Sequence, residues 1–156
     1  IRTGDVCRVI FYLVVFGSQE GIAAEHEMGL LGHSDADVLI HAICDALLGA
    51  ANMRDIGYHF PDNSADFKNI DSKILLAKTV KLIAGKRYRV GNVDATVCAE
   101  RPKLKKFIPE MQEVLARVME VDVDDVSIKA TTTEKLGFTG REEGISAYAT
   151  VLIEKD

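Results

Sequence analysis

The sequence predicts one α+β domain, a mixed β-sheet with helices packed on one face. Segments of two-residue period and segments of helical period interleave along the chain, and no Pro-, Gly- or Ser-rich linker, repeat or low-complexity stretch separates them. The length of 156 residues, 47% of them hydrophobic and 28% charged, suits a single core. A chain of this size buries roughly 70% of its unfolded surface and needs no disulfide staples. Collagen-like, disordered and disulfide-scaffold classes are excluded by composition.

The first element is the apolar run Val9 to Phe16, far short of the ~20 residues that a membrane helix needs. Arg2 and Arg8 before it and Gly17-Ser18 after it give the outline of a short signal core. Asp5 spoils that basic flank, and a buried β-strand is expected instead. Ser34 to about Ala51 has helical spacing: Ser34 and Asp37 are placed as a capping box, with Val38, Ile40, His41, Cys44, Leu47 and Leu48 following. Gly57 and Pro61 mark a loop. Asp71 or Ser72 starts a second helix through Ile74, Leu75, Val80, Leu82 and Ile83, stopped at Gly85.

Val90 to Cys98 is rich in β-branched residues and reads as a strand. Ile108-Pro109 opens a third helix whose apolar side is Met111, Val114, Leu115, Val118 and Met119, with the proline in the first turn where its missing N–H costs little. Val126, Ile128 and Ala130 alternate. So do Ile145, Ala147, Ala149, Val151 and Ile153, the clearest two-residue period in the chain.

Nineteen basic against 24 acidic side chains give a net charge of −5, and only 6% of residues are aromatic. That balance argues against a nucleic-acid surface and for a small-molecule partner. Cys7, Cys44 and Cys98 are odd in number, and two of them sit in apolar runs; a reducing, cytoplasmic compartment is expected.

All four histidines, His26, His33, His41 and His59, fall in the first 60 residues with Asp35, Asp37, Asp45, Asp55 and Asp62, a clustering that points to a site. Asp37, His41 and Asp45 are spaced i, i+4, i+8 and form one polar row on the first helix. A histidine flanked by carboxylates is a candidate metal ligand, its second ring nitrogen oriented by an acid. A solvated helix face gives the same pattern. Asp55 to Asp62 combines acids, a Gly and a Pro in a loop of the kind that presents ligands.

Ala130 to Gly137 leaves a strand with three hydroxyls, an acid and a base. Hydroxyls and backbone N–H groups suit phosphate oxygens, and Glu134 suits a divalent cation between them; a threonine helix cap is the alternative. Arg101 to Lys106 places four cations in six positions after a strand, and such a basic loop in an acidic chain suggests an anion site. There is no G-x-G-x-x-G, no G-x-x-x-x-G-K-[ST] and no C-x-x-C zinc spacing.

Taken together, Gly29 to Asp37, His41 to Ala50, Asp55-Ile56-Gly57 with Phe60-Pro61-Asp62, Gly91 to Asp94, and Lys129 to Arg141 resemble the 2-C-methyl-D-erythritol 2,4-cyclodiphosphate synthase family. The likeness runs from about Glu25 to the C-terminus. It implies an enzyme of non-mevalonate isoprenoid biosynthesis that cyclises 4-diphosphocytidyl-2-C-methyl-D-erythritol 2-phosphate and releases CMP. It also implies a homotrimer with sites between subunits, each taking zinc (or another divalent cation) from one subunit and a cytidine pocket from its neighbour. A magnesium or manganese ion across the phosphates completes the set.

Carried over by motif, the resemblance makes His41 a zinc ligand with Asp45 supporting it one turn on. His33 and Thr132 fall where the transition state is steadied, and Ser34 where the diphosphate and erythritol are met. Asp55, Gly57, Phe60, Pro61, Asp62, Asn63 and Ser64 match the erythritol-binding segment. Ala99, Pro102, Lys103, Leu104 and Lys105 match the cytosine and phosphate loop, and Ala130, Thr131, Thr133 and Glu134 its companion, with Glu134 on the magnesium or manganese ion. Phe138 and Arg141 fall at positions lining the trimer channel.

Residues 1–24 depart from the family pattern. Where two further zinc ligands are expected as an Asp-x-His pair, the chain reads Gly4-Asp5-Val6-Cys7-Arg8. Three readings stay open: zinc on Asp5, Cys7 and His41; a divergent or misassigned opening segment; or loss of the metal and of activity. The alternative function is a trimeric cytidine-nucleotide or phosphate-binding module without turnover. A metal-dependent phosphoesterase would need a positioned water and a base that the sequence does not single out.

Overall fold

The computed structural model describes residues 7–17, 35–61 and 70–155, with side chains for 38–61 and 70–155. In chain order the elements are β1 (Cys7–Gly17), α1 (Asp35–Ala50), α2 (Ile56–His59), α3 (Ser72–Gly85), β2 (Tyr88–Cys98), α4 (Ile108–Met119), β3 (Val126–Thr131), α5 (Gly137–Gly140) and β4 (Gly144–Lys155), with 3₁₀ turns at Leu104–Lys106 and Val123–Asp125. The sheet order is β1-β4-β2-β3. β4 pairs antiparallel with both β1 and β2, whereas β2 and β3 run parallel. The sheet is mixed, as the sequence predicts.

The parallel pair needs a crossover, which α4 supplies while packing on β3; α3 packs on β2, and α1 packs on β1, β4 and α3. Alternation sets the helix-covered face. Ile145, Ala147, Ala149, Val151 and Ile153 of β4 are buried against it, as are Val93, Ala95 and Val97 of β2 and Val126 and Ile128 of β3. The register of β2 slips between Val90 and Asn92, so Val90 and Val93 both face the core across one extra residue.

α1 is the central helix. Val38, Leu39, Ile40, Ala42, Ile43, Cys44, Ala46, Leu47 and Leu48 are all buried, and so is Asp45, so this helix is covered on every side and the reading of a solvated polar row does not hold. α3 starts where expected, with the Asp71 carboxylate accepting from Lys73 N–H at 2.9 Å. It ends at Gly85, as expected, with Lys86 as its C-cap and Arg87 beyond it in the left-handed conformation (φ 64°). α4 buries Met111, Leu115, Ala116 and Met119, with Glu120 as its left-handed C-cap.

Two further expectations change. Residues 56–59 form one helical turn rather than an open loop, because the Asp55 carboxylate caps it through Tyr58 N–H at 2.9 Å. Ala130 is exposed, although its alternation with Val126 and Ile128 predicts burial; near the end of β3 it lines a surface cleft instead of the core. The run Val9–Phe16 is a strand, as expected. Among the described residues no helix is long and apolar enough to cross a membrane.

Cys44 reports on how dry this core is. Burial pushes its thiol from an ordinary value near 9.0 up to about 12; the Thr79 hydroxyl beside it works the other way, and the Asp45 charge adds to the rise. Since the folded value lies above the unfolded one, the stabilisation linked to this group is complete below the unfolded value and is lost as pH rises towards 12. Peptide mapping after iodoacetamide treatment should find Cys44 unmodified in the folded protein at mildly alkaline pH and fully modified after denaturation. Rapid alkylation of the folded chain at this position would contradict the packing of α1.

Candidate functional site

The residues singled out by sequence gather into two groups. The first is built on α1 and α2. His41 is half-buried on α1, and one turn on the buried Asp45 accepts a hydrogen bond from Ile56 N–H at 2.7 Å. That bond fastens the start of α2 to α1, so Asp55 and Gly57 are carried on the helix that carries His41. A Cβ on Gly57 would lie 3.3 Å from Asp55 Oδ1, so a larger residue would crowd the cap. His59 Nε2 lies 2.7 Å from the Met53 carbonyl oxygen, which accounts for this histidine as a loop fastener. Phe60 is buried and Pro61 exposed.

Asp5, His26, His33, Ser34, Asp62, Asn63 and Ser64 lie outside the described residues. Cys7 opens β1, with its backbone opposite Glu154. Glu154 and Lys155 pair with Arg89 and Tyr88, and Lys86 Nζ reaches the Ala51 carbonyl just past α1. Cys7 and the C-terminal end of α1 therefore share one end of the sheet.

The second group sits at the opposite end, where Cys98 of β2 and Thr131 of β3 stand level. Ladder pairing continues one step beyond the strands, with Ala99 N–H donating to Thr131 O at 3.0 Å. Between the outgoing segments lies a cleft of about 270 Å³ lined by Ala99, Pro102, Leu104, Ala130, Thr131 and Thr132. Six residues from two segments far apart in sequence thus line one cleft.

The four cations of the first loop divide. Lys106 stacks over the Phe107 ring, its Nζ 4.7 Å from the centroid, and Arg101 Nε lies 3.5 Å from Glu142. Lys103 and Lys105 are exposed and make no polar contact among the described residues, so they are the two left to meet an anion.

On the second loop, Thr132 Oγ1 donates to Glu134 Oε1 at 3.1 Å, and Thr133 Oγ1 to Leu136 O at 2.7 Å. These hydroxyls organise the loop itself; Leu136 is the N-cap of α5 and no side chain caps that helix, so the threonine-cap alternative is not what forms. Glu134 and Lys135 adopt left-handed backbone (φ 51° and 63°), which costs an L-residue about 1–2 kcal/mol. Sequence reading misses Glu100, whose Oε1 accepts from Thr133 N–H and Lys135 N–H, both at 3.1 Å. An acid amid four cations is its only sequence signal; its partners lie 33 and 35 residues away.

Other motif residues have structural partners. Lys129 Nζ lies 2.6 Å from Asp94 Oδ2 across the parallel pair, and this bond, foremost among several causes, holds the Asp94 carboxyl below the usual range. Arg141 makes a two-pronged contact with Glu143, both bonds 2.8 Å, and Phe138 beside it is part-exposed.

Among the described residues no three His, Cys, Asp or Glu side chains converge as a metal site. His41 and Glu134 are the described donors assigned to metals. Imidazole, thiolate and carboxylate on His41, Cys7 and Asp5 suit zinc by chemical type, and the Glu134 carboxylate suits a hard cation.

Beyond two parallel strand ends, the mixed sheet thus carries a cleft lined by four apolar residues and two threonines, one of whose loops also bears the exposed Lys103 and Lys105. The chain matches the YgbB family over residues 18–154 and belongs to it. It is 84% identical over 135 residues to the 2-C-methyl-D-erythritol 2,4-cyclodiphosphate synthase of Phocaeicola vulgatus, covering 86% of this chain and 84% of that one. The synthase of the same name from Bacteroides fragilis is 80% identical over 135 residues, covering 86% and 85%.

Among solved structures, bifunctional IspDF from Campylobacter jejuni superposes with a TM-score of 0.80 at 37% identity, over 97% of this chain and 42% of that longer one. Plasmodium falciparum IspF in its CDP complex gives 0.76 at 29% identity, over 96% and 97%.

Asp45 is the joint of the first group, and its removal leaves Ile56 N–H without its acceptor. Asp45→Ala should lower unfolding stability by about 1–3 kcal/mol in urea titrations, with Asp45→Asn, which keeps an acceptor oxygen, costing less. An Asp45→Ala chain as stable as the parent would contradict that role.

Proposed function

We infer that this chain converts 4-diphosphocytidyl-2-C-methyl-D-erythritol 2-phosphate to 2-C-methyl-D-erythritol 2,4-cyclodiphosphate and CMP, a step of non-mevalonate isoprenoid biosynthesis. The observation that carries this reading is the 84% identity, over most of both chains, to a synthase of that activity. The cleft between the Ala99 and Thr131 loops agrees with it, since its lining is drawn from the residues that the family resemblance assigns to the cytosine and phosphate loops.

In the reaction an oxygen of the 2-phosphate forms a bond to the β-phosphorus while the bond from that phosphorus to the oxygen bridging it to the α-phosphorus breaks, and that oxygen leaves with CMP. Several negative charges must be brought together. Positioning and charge compensation therefore supply most of the rate, and no side-chain nucleophile is needed. Ala99, Pro102, Lys103, Leu104 and Lys105 hold the cytosine and its phosphate, and Ala130, Thr131 and Thr133 the diphosphate. His33 and Thr132 donate to the phosphoryl oxygens on which negative charge develops. Ser34, Asp55, Gly57 and the segment Phe60 to Ser64 orient the erythritol.

Glu134 would hold a magnesium or manganese ion, and His41 with Asp5 and Cys7 a zinc ion, with Asp45 supporting. Such cations, when bound, neutralise phosphate charge. The two residue groups lie towards opposite ends of one sheet, an arrangement that suits a homotrimer in which a neighbour's metal group completes each cleft. Phe138 and Arg141 then face the trimer channel, and the protein works in the cytoplasm.

Incubating the purified chain with its substrate and magnesium should release one CMP per cyclic product, read by chromatography, and the mass in solution should be three times that of the chain. CDP binding without CMP release would leave a binding module, and a monomer at micromolar concentration would contradict the shared site. His41→Ala should empty the zinc site, read by metal analysis, and lower turnover by at least the 10–100-fold that loss of an outer partner of a metal ligand costs. Cys7→His should keep or raise activity. Full zinc and full turnover in His41→Ala would overturn the ligand assignment.

A further inference from the structure

Glu100 is the one carboxylate built into the frame of the cleft that the reading above gives no task. It follows Ala99 at the end of β2, half-buried, and its Oε1 accepts from Thr133 N–H and Lys135 N–H, both at 3.1 Å. The two bonds tie the segment leaving β2 to the segment leaving β3, whose Ala130, Thr131 and Thr132 form the facing wall of the cleft.

The segment that Glu100 grips is one that the backbone does not favour by itself. Glu134, Lys135 and Gly137 all lie in the left-handed region, with φ of 51°, 63° and 67°. Gly140 comes close to the same place: a Cβ there would stand 2.1 Å from the Lys135 carbonyl carbon. Lys135 thus meets both the Glu100 carboxylate, through its N–H, and a glycine that permits close approach to its carbonyl. Without the carboxylate, the 133–135 backbone loses two anchors and is free to relax, moving Thr132 and Glu134 with it.

Charge makes the placement informative. A carboxylate on the same cleft-lining loop as the exposed Lys103 and Lys105 opposes an incoming phosphate, so it acts against affinity unless it does something else. Its hydrogen bonds supply that role, since a loop already ordered loses less entropy when a ligand binds.

We propose that Glu100 is a positioning residue: its carboxylate fixes the Thr131–Lys135 loop against the Ala99–Leu104 loop and so keeps the cleft in the form that accepts a nucleoside diphosphate. The proposal rests on the reading of this cleft as the cytidine and diphosphate pocket.

The test compares the full-length parent with Glu100→Gln and Glu100→Ala. It uses calorimetric titration with CDP in the presence of magnesium, and amide exchange at Thr133 and Lys135 without ligand. Gln keeps the acceptor oxygen, so Glu100→Gln should bind CDP within about threefold of the parent and keep both amides protected. Glu100→Ala should expose both amides and weaken CDP about tenfold or more, as expected for two lost anchoring bonds.

If Glu100→Ala exposes the amides yet binds CDP like the parent, the proposal is overturned while the site reading stands. A Glu100→Gln chain as weak as Glu100→Ala also overturns it, since charge and not loop anchoring would then govern affinity. A parent that keeps both amides protected but binds no CDP overturns the site reading, and the role of Glu100 with it.

Discussion

The parallel pairing of β2 with β3 sets what the rest of the chain can do. Val93 stands opposite Val126 and, five steps on, Cys98 opposite Thr131, so both strands end level and send their next residues out side by side. Antiparallel neighbours would send those segments to opposite ends of the sheet. The pairing is fixed by burial: Val93, Val97 and Val126 are at most 1% exposed, and a slip of one residue would turn each of them to the open face. Beyond the last ladder bond, from Ala99 N–H to Thr131 O, residues 100–105 and 132–135 leave the sheet side by side and flank a cleft.

The amino-acid pattern made most of the fold legible because period reports burial. The alternation of Ile145 to Ile153 and the helical spacing in 72–85 and 108–119 each reflect one covered face, the helix within 34–51 is covered all round, and each became the expected element. What escaped was decided by partners distant in sequence. Asp45 reads as a support for His41, yet it also fastens Ile56, and that link, with the Asp55 cap, makes a helical turn of residues 56–59. Glu100 resembles any acid in a charged stretch; its importance depends on left-handed residues more than thirty positions away, which no local pattern encodes. Ala130 alternates like a core residue but is exposed and lines the cleft near the end of β3.

The candidate site was legible to the extent that its residues are polar where the fold needs apolar ones. Thr131, Thr132 and Pro102 have no packing task at the strand ends, and they line the cleft. Asp94 and Lys129 show the opposite outcome, a charged pair in family motifs that bridges β2 and β3 on the face without helices. The opening residues are a separate matter. The family match begins at residue 18, while β1 occupies residues 7–17 and completes the sheet against β4. Backbone pairing accepts many sequences, so a segment can keep the strand while its side chains depart from the family.

The claim at the centre is that level strand ends and the loops leaving them form a pocket sized and polarised for a pyrimidine nucleoside diphosphate. Titration of the purified protein with CDP and with ADP, in the same magnesium buffer, tests it most directly. A pocket of about 270 Å³ whose edges are set by backbone groups should take CDP and discriminate against the larger purine, giving CDP affinity about tenfold or more above that for ADP. Equal affinity for the two nucleotides, or none for either, would contradict it.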